Sequence, residues 1–240
     1  MGTTCIILAG GLGTRLKQAV PDKPKCLAPV GIYSFLDIQL HLLRAQGITD
    51  FILSLGYMAD LVCKEIEHLK NNFSIRYVIE RQALGTGGAT LFAMDTFQID
   101  EALITNGDTF LNGNLVALLT PLELKKGELC KMAVVKVPDI SRFGEIKMEN
   151  GTVRSFAEKG GSGPGLINAG FYRANKQAFE KYGFRAGDTF SFESNLMPQL
   201  AKNSEVAAAI IEGDFTEIGV PEDYHKFCSD YGSKFRFQDV

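Results

Sequence analysis

The chain has 240 residues, of which 45% are hydrophobic, and a formal net charge of −3 at pH 7. This length suffices for one α/β domain with a sizeable core, and we expect a single domain over residues 1–240. The slight acidity excludes an overall positive field of the kind that draws proteins to nucleic acid or anionic lipid. We therefore expect neither nucleic acid nor membrane as a partner, and any phosphate site must be built locally.

The sequence shows neither a targeting segment nor a cysteine motif that would indicate a particular compartment. No stretch resembles a signal peptide or a membrane span, so a soluble, cytoplasmic protein is the default expectation. The five cysteines are widely spaced and form no Cys-x-x-Cys pair, which argues against a disulfide framework or a zinc site. Cys26 lies beside a candidate phosphate-binding lysine, where it is either a small packing residue or a reactive thiol.

The first half of the chain alternates strands with helices. An apolar run at residues 4–9 enters a glycine-rich turn and predicts a buried strand. Apolar spacing predicts helices over residues 35–45 and 59–69 and after Gly87. Strands are predicted over residues 51–55, 75–79 and 102–105. This doubly wound pattern predicts an α/β, Rossmann-like fold with a mainly parallel central sheet and ligands at the carboxyl ends of its strands.

The second half has a different rhythm. Strands are predicted over residues 132–137, 144–148, 152–156 and 166–173, with Asn150-Gly151 as a hairpin turn, so we expect antiparallel additions that make the sheet mixed. Helices are predicted over residues 192–201 and 222–231. The glycine-rich segment 160–165 is either a hairpin loop or a mobile flap.

The first strand leads into Leu-Ala-Gly-Gly-Leu-Gly-Thr-Arg-Leu at residues 8–16. Backbone amides of such a loop can approach phosphate oxygens closely, and Arg15 adds a charged fork. The loop has no Gly-Lys-Ser/Thr ending, and Leu16 stands where a dinucleotide fingerprint has its third glycine. Both a P-loop ATPase and a nicotinamide dehydrogenase are thereby disfavoured.

Two motifs together carry a resemblance to a known family. Gly-Gly-x-Gly-Thr-Arg-Leu, followed by Pro-Lys-x-x-x-Pro-Val around Lys25, resembles the signature of the sugar-1-phosphate nucleotidyltransferases. Further matches follow in the family's order at residues 84–88, 106–108, 156–159, 168–172 and 218–224. The resemblance implies the nucleotide-diphospho-sugar transferase fold, with residues 1–130 mainly binding nucleotide and residues 131–240 mainly binding sugar phosphate. It also implies that an NTP and a sugar 1-phosphate are joined with release of pyrophosphate.

The resemblance implies a role for each matching residue. Arg15 and Lys25 would hold the NTP phosphates and Lys159 the sugar phosphate, and these three cations would be the catalytic residues. The implied nucleotide-binding residues are Leu8, Ala9, Gly10, Gly11, Gly13, Thr14, Arg15, Lys25, Glu80, Gly85 and Thr86. The implied sugar-phosphate-binding residues are Gly107, Glu158, Lys159, Asn168 and Gly170.

Glu80 also has a chemical argument of its own. A carboxylate just before the base-approaching loop can accept hydrogen bonds from the N1 and N2 donors of guanine. The alternative is a surface acid paired with Arg81 or Arg76.

Two carboxylates are candidate ligands for Mg²⁺. Asp108 ends an apolar strand in the triplet Asn-Gly-Asp, where a carboxylate can hold the ion against phosphate oxygens. The family's second metal aspartate corresponds here to Glu217, whose extra methylene moves the carboxylate outward. Asp214 is the alternative ligand, and a solvated loop acid is the plain alternative for either residue.

Within the family, residues 24–29, 84–89, 190–193 and 218–224 most resemble the branch that transfers a guanylyl group from GTP to D-glycero-α-D-manno-heptose 1-phosphate. That branch would serve capsule or other surface-glycan assembly. Mannose 1-phosphate is the close alternative acceptor. The next alternative is UTP, dTTP or CTP together with another sugar phosphate. A non-catalytic, regulatory homologue that binds nucleotide sugars is an alternative of a different class. The sequence leaves a homo-oligomer open.

Overall fold

A mixed sheet of nine strands organises the chain, and the computed structural model describes residues 3–237 of it. The strands are β1 Thr4–Ala9, β2 Pro29–Val30, β3 Tyr33–Ser34, β4 Asp50–Leu55, β5 Ser74–Ile79, β6 Glu101–Asn106, β7 Thr109–Gly113, β8 Cys130–Val137, β9 Gly144–Glu149, β10 Thr152–Lys159, β11 Gly165–Asn175, β12 Val206–Ile210 and β13 Gly213–Glu217. The α-helices are α1 Phe35–Ala45, α2 Ala59–Leu69, α3 Gly85–Thr96, α4 Val116–Leu119, α5 Gln177–Lys181, α6 Met197–Lys202 and α7 Pro221–Tyr231.

The order of strands in the large sheet is β5-β4-β1-β6-β11-β8-β12-β10-β9. The first four strands in this order are parallel. Strand β11 then runs antiparallel to both β6 and β8, and the remaining pairings are antiparallel except that of β12 with β8. The predicted mixed sheet, parallel in its first half with antiparallel additions in its second, is confirmed.

Side-chain alternation on β1 explains why both faces of the sheet are covered. Cys5 and Ile7 enter one buried apolar cluster, whereas Ile6 enters another, since successive side chains on a strand point to opposite faces. Helix α1 has the predicted bounds because its beginning is encoded locally. The Ser34 hydroxyl accepts from the Asp37 backbone N–H, and the Asp37 carboxylate accepts from the Ser34 N–H, which forms a capping box.

Two predicted helices differ from the structure in ways that involve the segment around Phe190. Helix α3 begins at Gly85, whereas the prediction placed its start after Gly87. The Phe190 carbonyl accepts from the backbone N–H groups of Gly87 and Gly88 and so satisfies the first turn of α3. The predicted helix over residues 192–201 is a π-helical turn, Phe192–Leu196, that continues into α6.

Several short strands were not predicted, and among them β7 begins directly after Asp108 and β13 ends at Glu217. They pair antiparallel in a separate two-stranded sheet. The segment 160–165 connects β10 to β11, which do not pair with each other in the described chain, so the hairpin alternative is wrong. It is tied to the β8–β9 connection, since the Gly163 carbonyl accepts from the Ile140 N–H at 3.0 Å.

None of the helices within residues 3–237 combines the length and the apolar character needed to cross a membrane.

Candidate active site

A cleft of about 320 Å³ opens at the carboxyl ends of β1, β5 and β6. This is where a sheet of parallel strands is expected to bind ligands. Ten of the predicted site residues line it, and Cys26, Ala83, Ala89 and Asn106 complete the lining. The ten are Leu8, Ala9, Gly10, Gly11, Lys25, Glu80, Gly85, Thr86, Gly107 and Asp108.

Glu80 faces this cleft and organises one wall of it. Its carboxylate accepts from the Ser54 hydroxyl at 3.1 Å and from the backbone N–H of Leu84 at 2.9 Å. A β-carbon on Gly10 would lie 2.7 Å from Glu80 Oε1, so the glycine loop and this carboxylate approach each other closely. Arg76 is paired instead with an aspartate on β4, so the alternative that pairs Glu80 with Arg76 is wrong.

Cations and a carboxylate converge beside the cleft. Lys25 Nζ donates to Asp108 Oδ2 at 2.7 Å, and both side chains are largely shielded from solvent. A β-carbon on Gly219 would lie 3.5 Å from Asp108 Oδ2, 3.6 Å from Lys25 Nζ and 3.9 Å from Arg15 Nη2. Arg15 and Lys25, from one end of the chain, and the distant Asp108 therefore lie around one point, where glycine leaves room for a ligand.

The small β7–β13 sheet brings Glu217 to Asp108. Glu217 lies opposite Thr109 in the strand register, and Thr109 directly follows Asp108. The Ile218 N–H donates to the Asp108 carbonyl at 2.9 Å, which fastens the end of β13 to the Asp108 turn. The two predicted metal carboxylates are thus neighbours across a strand pair.

The pKa of Glu217 reflects this neighbourhood. Although its side chain is exposed, enough protein surrounds the carboxyl group that desolvation raises its pKa above the ordinary value. The negative charge of Asp108 raises it further, whereas Lys159, Lys25 and Arg15 lower it. Glu217 therefore shares one electrostatic environment with all three predicted catalytic cations.

Asp214 lies on the other side of β13. Side chains alternate along a strand, so residues 214 and 217 point to opposite faces. The Asp214 carboxylate accepts from the Tyr231 hydroxyl at 2.7 Å. Burial and this carboxylate together raise the pKa of Tyr231 to about 12. This placement argues against Asp214 as an alternative metal ligand.

The remaining predicted residues lie outside the lining of the cleft. Asn168, on β11, accepts from the Gly170 N–H at 2.9 Å. A β-carbon on Gly170 would lie 3.0 Å from the side-chain amide of Asn106, a residue of the cleft. Glu158 and Lys159 are exposed at the end of β10, next to a β-bulge. Gly13 lies against the Lys25 side chain, and Thr14 and Arg15 are exposed in the glycine loop.

The sequence model of the family described as Nucleotidyl transferase matches residues 4–234. The chain belongs to this family. The match runs from the start of β1 to three residues beyond the end of α7, so it includes every predicted site residue. The family resemblance stated from the motifs is confirmed.

Individual relatives within the family are similar over nearly their whole length. The D-glycero-α-D-manno-heptose 1-phosphate guanylyltransferase of Campylobacter jejuni is 38% identical over 226 residues, 92% of this chain and 97% of that protein. The protein of the same name from Aneurinibacillus thermoaerophilus is 34% identical and covers 92% and 95%. The crystal structure of HddC from Yersinia pseudotuberculosis complexed with GMP-PN is 33% identical, covers 95% and 99%, and has a TM-score of 0.78.

The carboxylates of Asp108 and Glu217 fit a hard divalent cation whose remaining ligands come from the substrate and water. Within residues 3–237 no group of three or more His, Cys, Asp or Glu side chains is placed to hold a metal ion. Asp108 and Glu217 contribute two carboxylates. Mg²⁺ is typically held in proteins by one or two carboxylates together with substrate phosphates and water. Repulsion between the two carboxylates is also what a bound cation relieves.

Glu193 and Tyr172, which no motif singled out as site residues, connect Thr86 in the cleft to Asn168 outside it. The Glu193 carboxylate accepts from the Thr86 hydroxyl at 2.6 Å and from the Tyr172 hydroxyl at 3.3 Å. The Tyr172 hydroxyl in turn accepts from the Asn168 side-chain amide at 2.6 Å. Burial raises the pKa of Tyr172 well above 10, so its hydroxyl stays protonated and donates. The segment 190–193 served only to distinguish family branches, although a π-helical turn often marks a functional site.

Cys26 lines the cleft with only 2% of its surface exposed. Burial raises the pKa of its thiol to about 12, so the thiolate is scarce at neutral pH. The structure favours the packing role for Cys26 over that of a reactive thiol.

Proposed function

We propose that this protein condenses GTP with D-glycero-α-D-manno-heptose 1-phosphate to give the GDP-sugar and pyrophosphate. The observation that carries the reaction class is the convergence of Arg15, Lys25 and Asp108 around one point beside the cleft. The choice of substrates is supported by near full-length similarity to two heptose 1-phosphate guanylyltransferases and to HddC, whose complex holds GMP-PN.

The nucleotide is assigned to the cleft at the ends of β1, β5 and β6. The backbone of residues 8–11 lines the nucleoside, and Glu80 accepts hydrogen bonds from the guanine N1 and N2 donors. Glu80 is already oriented by Ser54 and by the Leu84 N–H, so little side-chain entropy is lost when guanine binds. Gly85 and Thr86 approach the base, and Gly13, Thr14, Arg15 and Lys25 hold the phosphates.

The sugar phosphate is assigned to the neighbouring surface formed by β10 and β11. Lys159 binds its phosphate, in the electrostatic environment that Glu217 shares with Arg15 and Lys25. Glu158 and Asn168 bind sugar hydroxyls, and the backbones of Gly107 and Gly170 allow the sugar close approach. Residues 1–130 thus mainly serve the nucleotide and residues 131–240 the sugar phosphate within one catalytic domain.

Nucleotidyltransferases of this family generally use a divalent metal ion. We assign Mg²⁺, which Asp108 and Glu217 would hold, because carboxylate oxygens are the hard ligands that this ion prefers. When bound, the ion neutralises charge on the NTP phosphates. Lys25 orients Asp108 through their 2.7 Å ion pair.

The reaction is an in-line displacement at the α-phosphorus. An oxygen of the sugar 1-phosphate forms the new P–O bond, and the bond from the α-phosphorus to the bridging oxygen breaks as pyrophosphate leaves. The attacking phosphate is already ionised, so no side chain has to act as nucleophile or base. The obstacle is repulsion between two polyanions, and Arg15, Lys25 and Lys159 lower it by positioning and charge compensation.

Pyrophosphate release in a substrate matrix tests the proposal. GTP, ATP, UTP, dTTP and CTP are each combined with heptose, mannose and glucose 1-phosphates, with Mg²⁺ or with EDTA. We expect turnover with GTP and the heptose 1-phosphate, and none with EDTA. Preference for mannose 1-phosphate would replace the acceptor while keeping the class. Silence throughout, with nucleotide sugars still binding, would favour a regulatory homologue.

A further inference from the structure

Gln39 is a buried polar residue on the otherwise apolar inner face of α1. It is 3% exposed, and its neighbours Ile38 and Leu40 are fully buried. A buried amide is costly unless it forms hydrogen bonds, so the contacts of Gln39 indicate why the helix carries it.

The side-chain nitrogen of Gln39 bridges the turn that carries Asp108. Nε2 donates to the Asn106 carbonyl at 3.0 Å and to the Thr109 carbonyl at 2.8 Å. These carbonyls flank Gly107 and Asp108 on the two sides. Both partners are acceptors, so the amide must present its NH₂ group to them, which determines its orientation.

The region behind this turn is incompletely packed. A cavity of about 80 Å³ lies between α1 and β7, and its lining includes Gln39, Thr109 and Phe110. Within the described residues, Gln39 Oε1 and Thr109 Oγ1 are buried without a hydrogen-bond partner. Because the cavity leaves this region without close packing, the two hydrogen bonds donated by the Gln39 amide connect α1 to the turn that carries Asp108.

We infer that Gln39 is a positioning residue that sets the Asp108 carboxylate for metal binding, an inference that rests on the proposed function. Gln39 reaches the metal site only through the backbone of the turn. Backbone bonds fix the same turn from other sides: the Gly107 N–H donates to the Leu8 carbonyl, and the Ile218 N–H donates to the Asp108 carbonyl. Gln39 adds side-chain hydrogen bonds from α1 to the same turn.

The test is direct Mn²⁺ binding to the protein with a non-hydrolysable GTP analogue present. It is measured from the electron paramagnetic resonance signal of free Mn²⁺ and compared with the signal for the same analogue without protein. The variant is Gln39→Met, which keeps length and apolar volume but removes both donors. The matched control is Gln46→Met, at the C-cap of α1 and two helical turns after Gln39. Gln46 also lines the cavity and accepts from the Leu115 N–H, but it does not contact the Asp108 turn.

We expect Gln39→Met to weaken Mn²⁺ binding about 10–100-fold, the usual effect of removing an outer-shell partner of a metal site. Gln46→Met should leave the Mn²⁺ dissociation constant unchanged, even where both variants lose thermal stability. Equal Mn²⁺ affinity of Gln39→Met and wild type would overturn the inference while leaving the proposed function intact. Failure of the wild type itself to bind Mn²⁺ would overturn the proposed metal site and this inference with it.

A measurement on the wild type covers the case in which Gln39→Met does not fold. The Gln39 side-chain amide should give nuclear magnetic resonance signals that exchange slowly with solvent, because the NH₂ group is buried and hydrogen-bonded. Addition of Mg²⁺ together with the GTP analogue to the protein should shift these signals more than the side-chain amide signals of Gln46. Signals of Gln39 that do not respond to Mg²⁺ would contradict coupling between the Gln39 side chain and the metal site at Asp108.

Discussion

Replacement of Glu193 by alanine should impair use of both substrates at once. Glu193 accepts from Thr86, which is assigned to the nucleotide, and from Tyr172, which holds the Asn168 amide assigned to the sugar. Glu193→Ala removes the acceptor that these two hydroxyls share. The walls of both subsites then lose a common support.

The structure sets the size of the expected stability loss. Tyr172 is 1% exposed, so its hydroxyl proton would remain buried without its acceptor. Leaving a buried donor unsatisfied costs about 1–3 kcal/mol. For a chain of this size, each kcal/mol lowers the melting temperature by roughly 2–4 °C. We therefore expect the melting temperature of Glu193→Ala to fall by about 2–12 °C, which leaves a folded protein to assay near 25 °C.

The expected effect on catalysis follows from loss of positioning. Small displacements of substrate-binding groups can cost about 10²-fold in rate, so we expect kcat/KM to fall roughly 10–100-fold for each substrate. Steady-state pyrophosphate release, with GTP and then the sugar 1-phosphate varied, measures both values. Tyr172→Phe should act in the same direction, because it interrupts the same network at another point.

Replacement of the exposed Glu212 by alanine, which removes the same side chain from the surface, is the control. Loss of thermal stability in Glu193→Ala with both kcat/KM values unchanged would refute the reasoning. A fall in kcat/KM for only one of the two substrates would show that the network does not couple the subsites.

Three further predictions concern the proposed metal carboxylates and the start of α3. Asp108→Asn should abolish turnover but not folding, because it removes charge without changing shape. Circular dichroism checks the fold and pyrophosphate release checks the turnover, and full activity of the variant at saturating Mg²⁺ would remove Asp108 from the metal site. Glu217→Ala should lower kcat about 10²-fold or more, whereas Asp214→Asn should stay near wild type, and the reverse ranking in parallel assays would transfer the metal role to Asp214. Gly85→Ala should destabilise the fold by about 1–3 kcal/mol, because φ is +71° and a β-carbon would lie 2.6 Å from the Phe190 carbonyl oxygen. Calorimetry measures this loss, and an unchanged melting temperature would contradict it.

Elements encoded within a few residues were predicted well. Helices α1 and α2 have the predicted bounds, since apolar spacing and, for α1, a local capping box determine them. The start of α3 was misjudged because its cap is the carbonyl of Phe190, about a hundred residues away. Strands β7 and β13 were missed because neither has a strong local pattern, and each depends on pairing with the other.

The sequence by itself determined the family, the glycine-rich loop proposed to bind phosphate together with Arg15 and Lys25, and the position of Asp108 at the end of an apolar strand. Contiguous motifs encode these features, so no partner from elsewhere in the chain is needed to recognise them. Only the tertiary structure distinguished Glu217 from Asp214 as the proposed second metal ligand, because strand register places Glu217 opposite Thr109, next to Asp108, and turns Asp214 to the other face. The supporting contacts of Gln39 and Glu193 were likewise invisible in the sequence, since each joins residues that come together only when the sheet and its helices assemble.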